Sequence, residues 1–388
     1  MKVLFITPYI PSRIRVRPFE FIKELAKTNE VSLISLAEGS ENPSGLDEIY
    51  SCCQSVEIIP HPKLKGYFQS LKALPTNKPM CAGYCWSSDM DKAVRNKLNT
   101  QPMDIIHIEH IRAAHFLPKT NIPAVFDGVD CLSSLFRQMS RSRKNIAARL
   151  IALEEAWKLS KYEPRAIRNF HKAIITSEAE KKSILDMDSL IDIEVVENGV
   201  DTIYFAPKSI KKRKQIIFSG KMSYQPNAQA AIWFAEKVFP LIKSKVPDAE
   251  FAIVGSGPPA SVLKLADIPG IKVTGYVDDI RPYLAESSVA VTPMQIAVGI
   301  QNKALEAAAM QLPVVATSIV KQAFADKVSS IIEINDPVEM AETIIDLLNN
   351  PAKAEALGKS AREDVIKHYS WHSQVGKLNK IYEDLIKA

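Results

Sequence analysis

The 388-residue chain lacks the features that define several classes of protein. No apolar run approaches the roughly 20 residues that a membrane-spanning helix needs. The first residues, MKVLFITPYIPSRIR, have too short an apolar core and no small-residue cleavage site for a signal peptide. The net charge is only +5, which suits small anionic ligands and does not indicate nucleic-acid binding. We therefore expect a cytoplasmic protein, with peripheral contact at the inner face of the cell membrane as an open alternative.

Cysteine is scarce, and several catalytic motifs are missing. The five cysteines are an odd number for so long a chain, which indicates reduced thiols. Cys81 and Cys85 are closely spaced, but no His/Cys pair with zinc spacing follows, so we expect no metal site. The chain has no G-x-S-x-G, no lysine-bearing P-loop and no H-E-x-x-H, which excludes hydrolase-elbow, P-loop kinase and zincin functions.

Short apolar runs alternate with helix-forming segments along the whole chain. KVLFIT, VSLISL and VEIIP begin the first half, and KQIIFSG, AEFAIVGSG and VAVTP follow in the second. This alternation predicts parallel α/β sheets whose strands are buried on both faces. The segment VVENGVDTIYFAPKSIKKRK is typical of a linker. We predict two Rossmann-like domains facing a cleft, at residues 1–200 and 201–365, and a final helix in 366–388.

One predicted strand–loop–helix junction, VAVTPMQIAVGIQNKALEAAA, has the properties of an anion site. Gly299 gives a flexible approach, and the N–H groups of Ile300 and Gln301 would begin the helix. Lys303 in the first turn opposes the helix dipole, a conflict that an anionic ligand would remove. Glu306, one turn later, could accept hydrogen bonds from ribose hydroxyls. A solvated lysine and a glutamate that only supports the helix are the alternative.

Two further strand ends in the second half carry suitable groups. Gly220 ends a predicted strand and Lys221 follows it, so Lys221 would be a second cation for a diphosphate, unless it is only a surface lysine. Tyr276 and Val277 follow another strand, where backbone groups could pair with a nucleotide base.

The first half offers acceptor-side candidates. The loop after the first strand carries Arg13, Arg15 and Arg17, which suit phosphate or carboxylate or form a solvated edge. His110 ends a strand and could act as a general base, although a packed histidine is the alternative. Asp127 and Asp130 follow the next strand and could bind acceptor hydroxyls.

Several segments together resemble bacterial retaining glycosyltransferases of family 4, which have the two-domain GT-B fold. They are MKVLFITPYIP, PAVFDGVD, VVENGVDTIYFAP, FSGKMSYQPN, VTGYVDDIRPYLAESSVAVTP and NKALEAAAMQLPVVAT. The resemblance is strongest to transferases of exopolysaccharide and cell-envelope polysaccharide assembly. It implies a nucleotide-sugar donor such as a UDP-sugar, a glycan or lipid-linked acceptor, and no metal.

Carried over position by position, the resemblance assigns roles to residues of this sequence. Lys221, Lys303 and the N–H groups of Ile300 and Gln301 would bind the diphosphate. Glu306 would bind the ribose, and the backbone near Tyr276 and Val277 the base. The last helix would cross back onto the N-terminal domain. Three departures from the family pattern are Val298 in place of a glutamate, arginines in place of glycines in the first loop, and Val129 before Asp130. They leave open a catalytically inactive nucleotide- or glycan-binding protein; a nucleotide-sugar epimerase is the other alternative.

A basic stretch, RQMSRSRKNIAARLIAL, joins arginines and a lysine to an apolar helix face. It predicts either contact with an anionic membrane or a solvated basic helix. Its basic residues are Arg137, Arg141, Arg143, Lys144 and Arg149.

Overall fold

The computed structural model describes residues 1–39, 45–142, 145–208, 210, 212–297, 300–324, 327–328 and 330–387. The chain divides into two compact units. The first comprises Met1–Asn198 and Trp371–Ala388, and the second comprises Gly199–Ser370.

The first unit contains a seven-stranded sheet with the order β3-β2-β1-β4-β5-β6-β7, in which every pair is parallel. All residues of the first strand from Val3 to Thr7 are buried, which explains its continuous apolar run. The strands are β1 Lys2–Thr7, β2 Glu30–Ala37, β3 Ser55–Pro60, β4 Ile105–Glu109, β5 Ala124–Asp127, β6 Lys172–Ile175 and β7 Ile193–Val195.

Helices connect these strands, as parallel pairing requires. They are α1 Val16–Leu25, α2 Leu46–Cys52, α3 Lys63–Ala73, α4 Met80–Tyr84, α5 Ser88–Thr100, α6 Leu132–Ser142, α7 Ile146–Ile167 and α8 Glu178–Leu185, with a 3₁₀ turn at Ala114–Phe116.

The second unit repeats this design with a six-stranded parallel sheet of order β10-β9-β8-β11-β12-β13. Its strands are β8 Gln215–Ser219, β9 Glu250–Val254, β10 Ile271–Val273, β11 Val289–Thr292, β12 Val314–Ala316 and β13 Ile332–Glu333. Its helices are α9 Gln225–Lys237, α10 Phe239–Lys245, α11 Ala260–Leu263, α12 Arg281–Glu286, α13 Asn302–Ala309, α14 Ser318–Phe324, α15 Pro337–Asn349 and α16 Pro351–His368, with a 3₁₀ turn at Lys264–Asp267.

The last helix, α17 Trp371–Lys387, packs against the first unit. Its apolar face shares one buried cluster with Phe5 and Phe21. The hydroxyl of Tyr382 hydrogen-bonds Nδ1 of His107 at 2.6 Å, which anchors the helix to β4.

Both sheets have the doubly wound strand order, so the predicted fold class of two parallel-sheet α/β units is confirmed. The order reverses between β1 and β4 in the first unit and between β8 and β11 in the second. Ligands of such sheets bind outside the carboxyl ends of the strands at this reversal. In the second unit, the loops at that position are the ones that carry Gly220 and Lys303.

Candidate functional site

The end of β8 is open because Gly220 has no side chain. Its φ is +149°, and a Cβ there would lie 2.8 Å from Nδ2 of Asn227 and 3.3 Å from Cε of Lys303. Any side chain would therefore fill the space beside Lys303. The next residue, Lys221, is exposed, and its ammonium has no ion-pair partner within the described parts of the chain.

The ends of β8, β9 and β10 are aligned by backbone hydrogen bonds. Gly220 N donates to the carbonyl of Val254 at 3.0 Å, and Gly255 N donates to the carbonyl of Gly275 at 3.1 Å. Tyr276, which follows Gly275, is 59% exposed, whereas Val277 packs partly buried against the core. Tyr276 thus offers an exposed ring and backbone at this edge of the sheet.

Helix α13 begins at Asn302, with Gln301 at the N-cap position, and no side chain caps it. Ile300 is buried, so it can offer only its backbone. The N–H groups of Ile300 and Gln301 therefore immediately precede the first helical residue. Oδ1 of Asn302 is buried and has no hydrogen-bond partner among the residues described. Val298 and Gly299, both singled out in the sequence, lie outside the described residues.

Lys303 has a partly buried ammonium group that lies next to Asn227 and Phe218. Its Nζ donates to Oδ1 of Asn227 at 2.7 Å and lies 5.0 Å from the ring centroid of Phe218. Burial lowers the pKa of Lys303 to about 7, and nearby Glu306 opposes this shift only in part. Burial likewise raises the pKa of Glu306 to about 7. A bound anion would favour the charged form of Lys303.

Asn227 is a component that the sequence analysis missed. It is buried at the start of α9, and its amide joins the two lysine-bearing loops. Oδ1 accepts from Lys303, and Nδ2 donates to the carbonyl of Lys221 at 2.9 Å. The signal in the sequence was an asparagine at a helix start directly after the Gly-Lys strand end. These contacts give the second unit a preorganised cationic site at its strand reversal.

In the first unit, His110 and Asp130 follow neighbouring strands. His110 has the left-handed φ of 72°, and its N–H donates to the carbonyl of Asp127 at 2.7 Å. Burial holds the pKa of His110 well below its ordinary value, so its ring is neutral and Nδ1 accepts from the N–H of Arg112. Burial, reinforced by Glu180, raises the pKa of Asp130 to about 8.

The loop between β5 and Asp130 is strained. Val129, a β-branched residue, has a φ of 57°, a conformation that costs energy and recurs at functional sites. Its carbonyl accepts from the hydroxyl of Thr176 at 2.8 Å. The loop after β5 is therefore also fixed by Thr176, the residue that follows strand β6.

The acceptor-side arginines and Asp127 have partners within the first unit. Arg17 and Asp127 are both buried and form an ion pair in which Nε of Arg17 contacts the two carboxylate oxygens at 2.8 and 3.1 Å. Asp127 is therefore occupied by Arg17 and does not offer a free carboxylate to an acceptor. Arg13 pairs with Glu48 at 2.5 Å on the surface, while the Arg15 guanidinium lies 4.5 Å from the ring centroid of Tyr9.

Neither a metal cluster nor a membrane-spanning helix is found in the described part of the chain. No group of three or more His, Cys, Asp or Glu side chains is arranged to hold a metal ion. None of the described helices is both long and apolar enough to cross a bilayer.

Two parallel-sheet α/β units, each with a doubly wound strand order, are the arrangement of the GT-B class of fold. Residues 213–350 match the family described as "Glycosyl transferases group 1", so this part of the chain is a glycosyl transferase group 1 domain. The matched segment contains Gly220, Lys221, Asn227, Lys303 and Glu306.

One curated relative is poly(ribitol-phosphate) alpha-N-acetylglucosaminyltransferase of Staphylococcus aureus (strain COL). The two chains are 26% identical over 235 residues, which is 57% of this chain. The match spans 46% of the relative's length, so about half of that protein has a counterpart here.

Solved structures show the same fold over nearly the whole chain. Sucrose-phosphate synthase from Thermosynechococcus elongatus has a TM-score of 0.74 at 14% identity and covers 100% of both chains. A TarM mutant from S. aureus, in complex with fondaparinux, alpha-GlcNAc-glycerol and UDP, has a TM-score of 0.70 at 15% identity, covering 98% of this chain and 100% of that one. Anabaena HepE in complex with UDP has a TM-score of 0.68 at 13% identity, with coverage of 99% and 100%.

Proposed function

We propose that this protein is a retaining glycosyltransferase of exopolysaccharide or cell-envelope polysaccharide synthesis. It moves a hexose from a nucleotide-diphosphate sugar to a glycan or lipid-linked acceptor. The observation that carries the proposal is Lys303, a partly buried ammonium at a helix start that is held by a neutral amide. An anionic ligand suits this environment best.

The donor would bind across the carboxyl ends of β8, β10 and β11. Lys221, Lys303 and the first N–H groups of α13 would hold the diphosphate, since charge-assisted hydrogen bonds are worth about 1.5–3 kcal/mol each. Glu306 would bind the ribose, and the backbone beside Tyr276 and Val277 would bind the base. UDP is the nucleotide we favour, because the TarM mutant and HepE structures contain it.

The transfer itself needs few protein groups. The bond between the anomeric carbon and the donor phosphate breaks, the acceptor oxygen bonds to the same face of that carbon, and the departing phosphate accepts the acceptor proton. Lys303 and the helix dipole would stabilise the leaving diphosphate, so we propose a metal-independent reaction. His110 and Asp130 would position the acceptor hydroxyl in the first unit. The reaction would take place in the cytoplasm, where nucleotide sugars are the expected donors.

The test is a panel of UDP-, GDP- and ADP-sugars with glycan and lipid-linked acceptors, followed by mass spectrometry. We expect transfer from a UDP-sugar that persists in EDTA, with retention of anomeric configuration by NMR. Lys303→Ala should abolish transfer, while Lys237→Ala, an exposed lysine of α9, serves as the matched control. No transfer from any donor, despite nucleotide binding, would support the inactive binding protein instead. Isomerised donor in reactions without acceptor would identify an epimerase.

A further inference from the structure

Helix α3 presents large apolar side chains to solvent. Leu64 is 82% exposed, Tyr67 59%, Phe68 58% and Leu71 61%. Their spacing of three, four and seven residues places them on one face of the helix. The opposite side is packed, because a Cβ at Gly66 would lie 2.6 Å from the ring of Tyr84. The exposed face is therefore an apolar stripe on a helix that is already anchored.

Helix α7 has a second stripe of the same kind. Ile146 is 75% exposed, Leu150 60%, Leu153 42% and Trp157 51%. These residues recur at i, i+4, i+7 and i+11, again along one face. The other face carries the buried residues Ala152, Ala156 and Leu159.

Hydrogen bonds link α7 to the segments that follow α3 in the first unit. Nζ of Lys158 in α7 donates to the carbonyl of Leu74, directly after α3, at 2.7 Å. The carboxylate of Glu155 accepts from the N–H groups of Met80 and Cys81 at 2.8 Å each, which fixes the start of α4 to α7. Ten of the 22 large apolar side chains exposed in the described chain lie on α3, on α7 or at Leu74. Such concentration marks an interaction surface, since scattered apolar residues need no explanation.

The charge around these stripes is positive. Between Glu57 and Asp89 the chain has four lysines and no Asp or Glu. Nζ of Lys72 lies 4.5 Å from the ring centroid of Phe68, and Nζ of Lys161 lies 3.9 Å from that of Trp157. Exposed arginines of α6 and α7 add to the charge, namely Arg137, Arg141 and Arg149.

We infer that these two stripes dock the protein on an anionic lipid bilayer. Apolar and aromatic side chains flanked by lysines and arginines are the composition of helices that lie in the membrane interface. Lys65 and Lys158 already pair with Asp89 and Glu154 at 3.3 and 2.8 Å. Anionic headgroups would pair with the other cations of the surface. A second copy of the chain is a poor occupant, because a symmetric contact would place two mainly positive surfaces against each other.

The surface also lies next to the acceptor side of the first unit. Arg112, two residues after His110, lies beside Cys81 of α4 and beside Cys85, which follows that helix. Helix α4, which contacts α3 and is bonded to α7, therefore adjoins the carboxyl end of β4. Docking would hold this edge near the headgroups, although the inference rests on surface chemistry and does not require glycosyl transfer.

Vesicle flotation with the full chain tests the inference without an activity assay. The probes are vesicles of phosphatidylcholine alone and vesicles with about one third phosphatidylglycerol. We expect binding only to the anionic vesicles, weakened by 0.5 M salt because screening shortens the reach of the charges. Phe68→Glu with Leu71→Glu, and separately Leu150→Glu with Trp157→Glu, should each reduce the partition coefficient at least about tenfold. Leu190→Glu is the matched control, since Leu190 is 80% exposed in the same unit but outside the stripes.

Three results would overturn the inference. One is equal flotation of the wild type with both kinds of vesicle or with neither. Another is unchanged binding of both double variants at wild-type thermal stability. A lipid-free dimer that the double variants dissociate, seen by analytical ultracentrifugation, would also overturn it and assign the surface to self-association. Loss of docking in the variants but not in Leu190→Glu supports it, whatever the enzymatic assays give.

Discussion

Lys303 is the residue on which the chemistry of the second unit depends. In water a lysine is protonated up to a pH near 10.4, but burial beside Asn227 and Phe218 lowers the pKa of Lys303 to about 7. At neutral pH the free protein thus holds this ammonium only in part. A diphosphate bound beside Lys303 would favour the charged form, so binding of ligand and proton should be coupled.

This coupling predicts a pH dependence of nucleotide binding. Lys303 has a pKa of about 7 in the free protein and a higher pKa in the complex, so binding at pH 8 takes up protons. Affinity for UDP should fall between pH 7.5 and pH 9, by at most about tenfold per pH unit. Calorimetry in buffers of different ionisation enthalpy measures the proton uptake directly. Lys303→Arg, which stays protonated throughout, should bind with a shallower pH dependence. Equal affinity at both pH values without proton uptake would contradict this account of Lys303.

At the scale of elements, the donor site depends on how closely the ends of β8 and β9 approach each other. Gly255 has a φ of +147°, and a Cβ there would lie 1.8 Å from the carbonyl oxygen of Gly220. The strand ends can therefore meet only if residue 255 is glycine. The same close contact fixes the backbone of Gly220, the residue immediately before Lys221.

Gly255→Ala should consequently destabilise the second unit and weaken nucleotide binding. We expect a loss of about 2–4 kcal/mol of stability, from the clash and the unfavourable φ. The control is Gly376→Ala in α17, where a Cβ meets nothing within 4 Å, and an exposed helical alanine should stabilise by about 0.5–1 kcal/mol. Denaturant titrations and UDP binding measure both effects. A wild-type melting curve for Gly255→Ala would show that the strand ends are not as close as described.

The sequence predicted elements better than it predicted contacts. Continuous apolar runs in the sequence correspond to strands such as β1, β2 and β8, because burial on both faces leaves that pattern. Strand β7 was missed, because its three residues, IEV, include a glutamate that interrupts the apolar run. The candidate cation Lys303 was found from its position in a predicted first turn, whereas its partner Asn227 was missed, because the contact joins residues 76 positions apart. The pairing of Arg17 with Asp127 was missed for the same reason. The two residues are 110 positions apart, and only the folded chain brings β5 next to α1.

Over the whole molecule, the chain leaves the first unit after Asn198 and returns to it at Trp371. Residues of the first unit bind the chain at or near both points. The segment before Gly199 ends at Asn198, whose Oδ1 accepts from Nη1 of Arg17 at 3.0 Å. The returning helix α17 bonds through Tyr382 to His107, which lies 3.6 Å from the carboxylate of Asp127. One buried polar network therefore anchors the outgoing and the returning chain. Arg17 and Asp127, which the sequence suggested as acceptor-binding residues, therefore have a structural role in this network.

The proposed transfer requires that the second unit bind a nucleotide diphosphate through Lys303 and Glu306. Isothermal titration of UDP into the wild type, Lys303→Ala, Glu306→Ala and the Lys237→Ala control at pH 7 measures this binding. Both site variants should weaken binding by at least about tenfold, the value of one lost charge-assisted hydrogen bond, while Lys237→Ala should bind like the wild type. Unchanged affinity in both site variants would contradict this prediction.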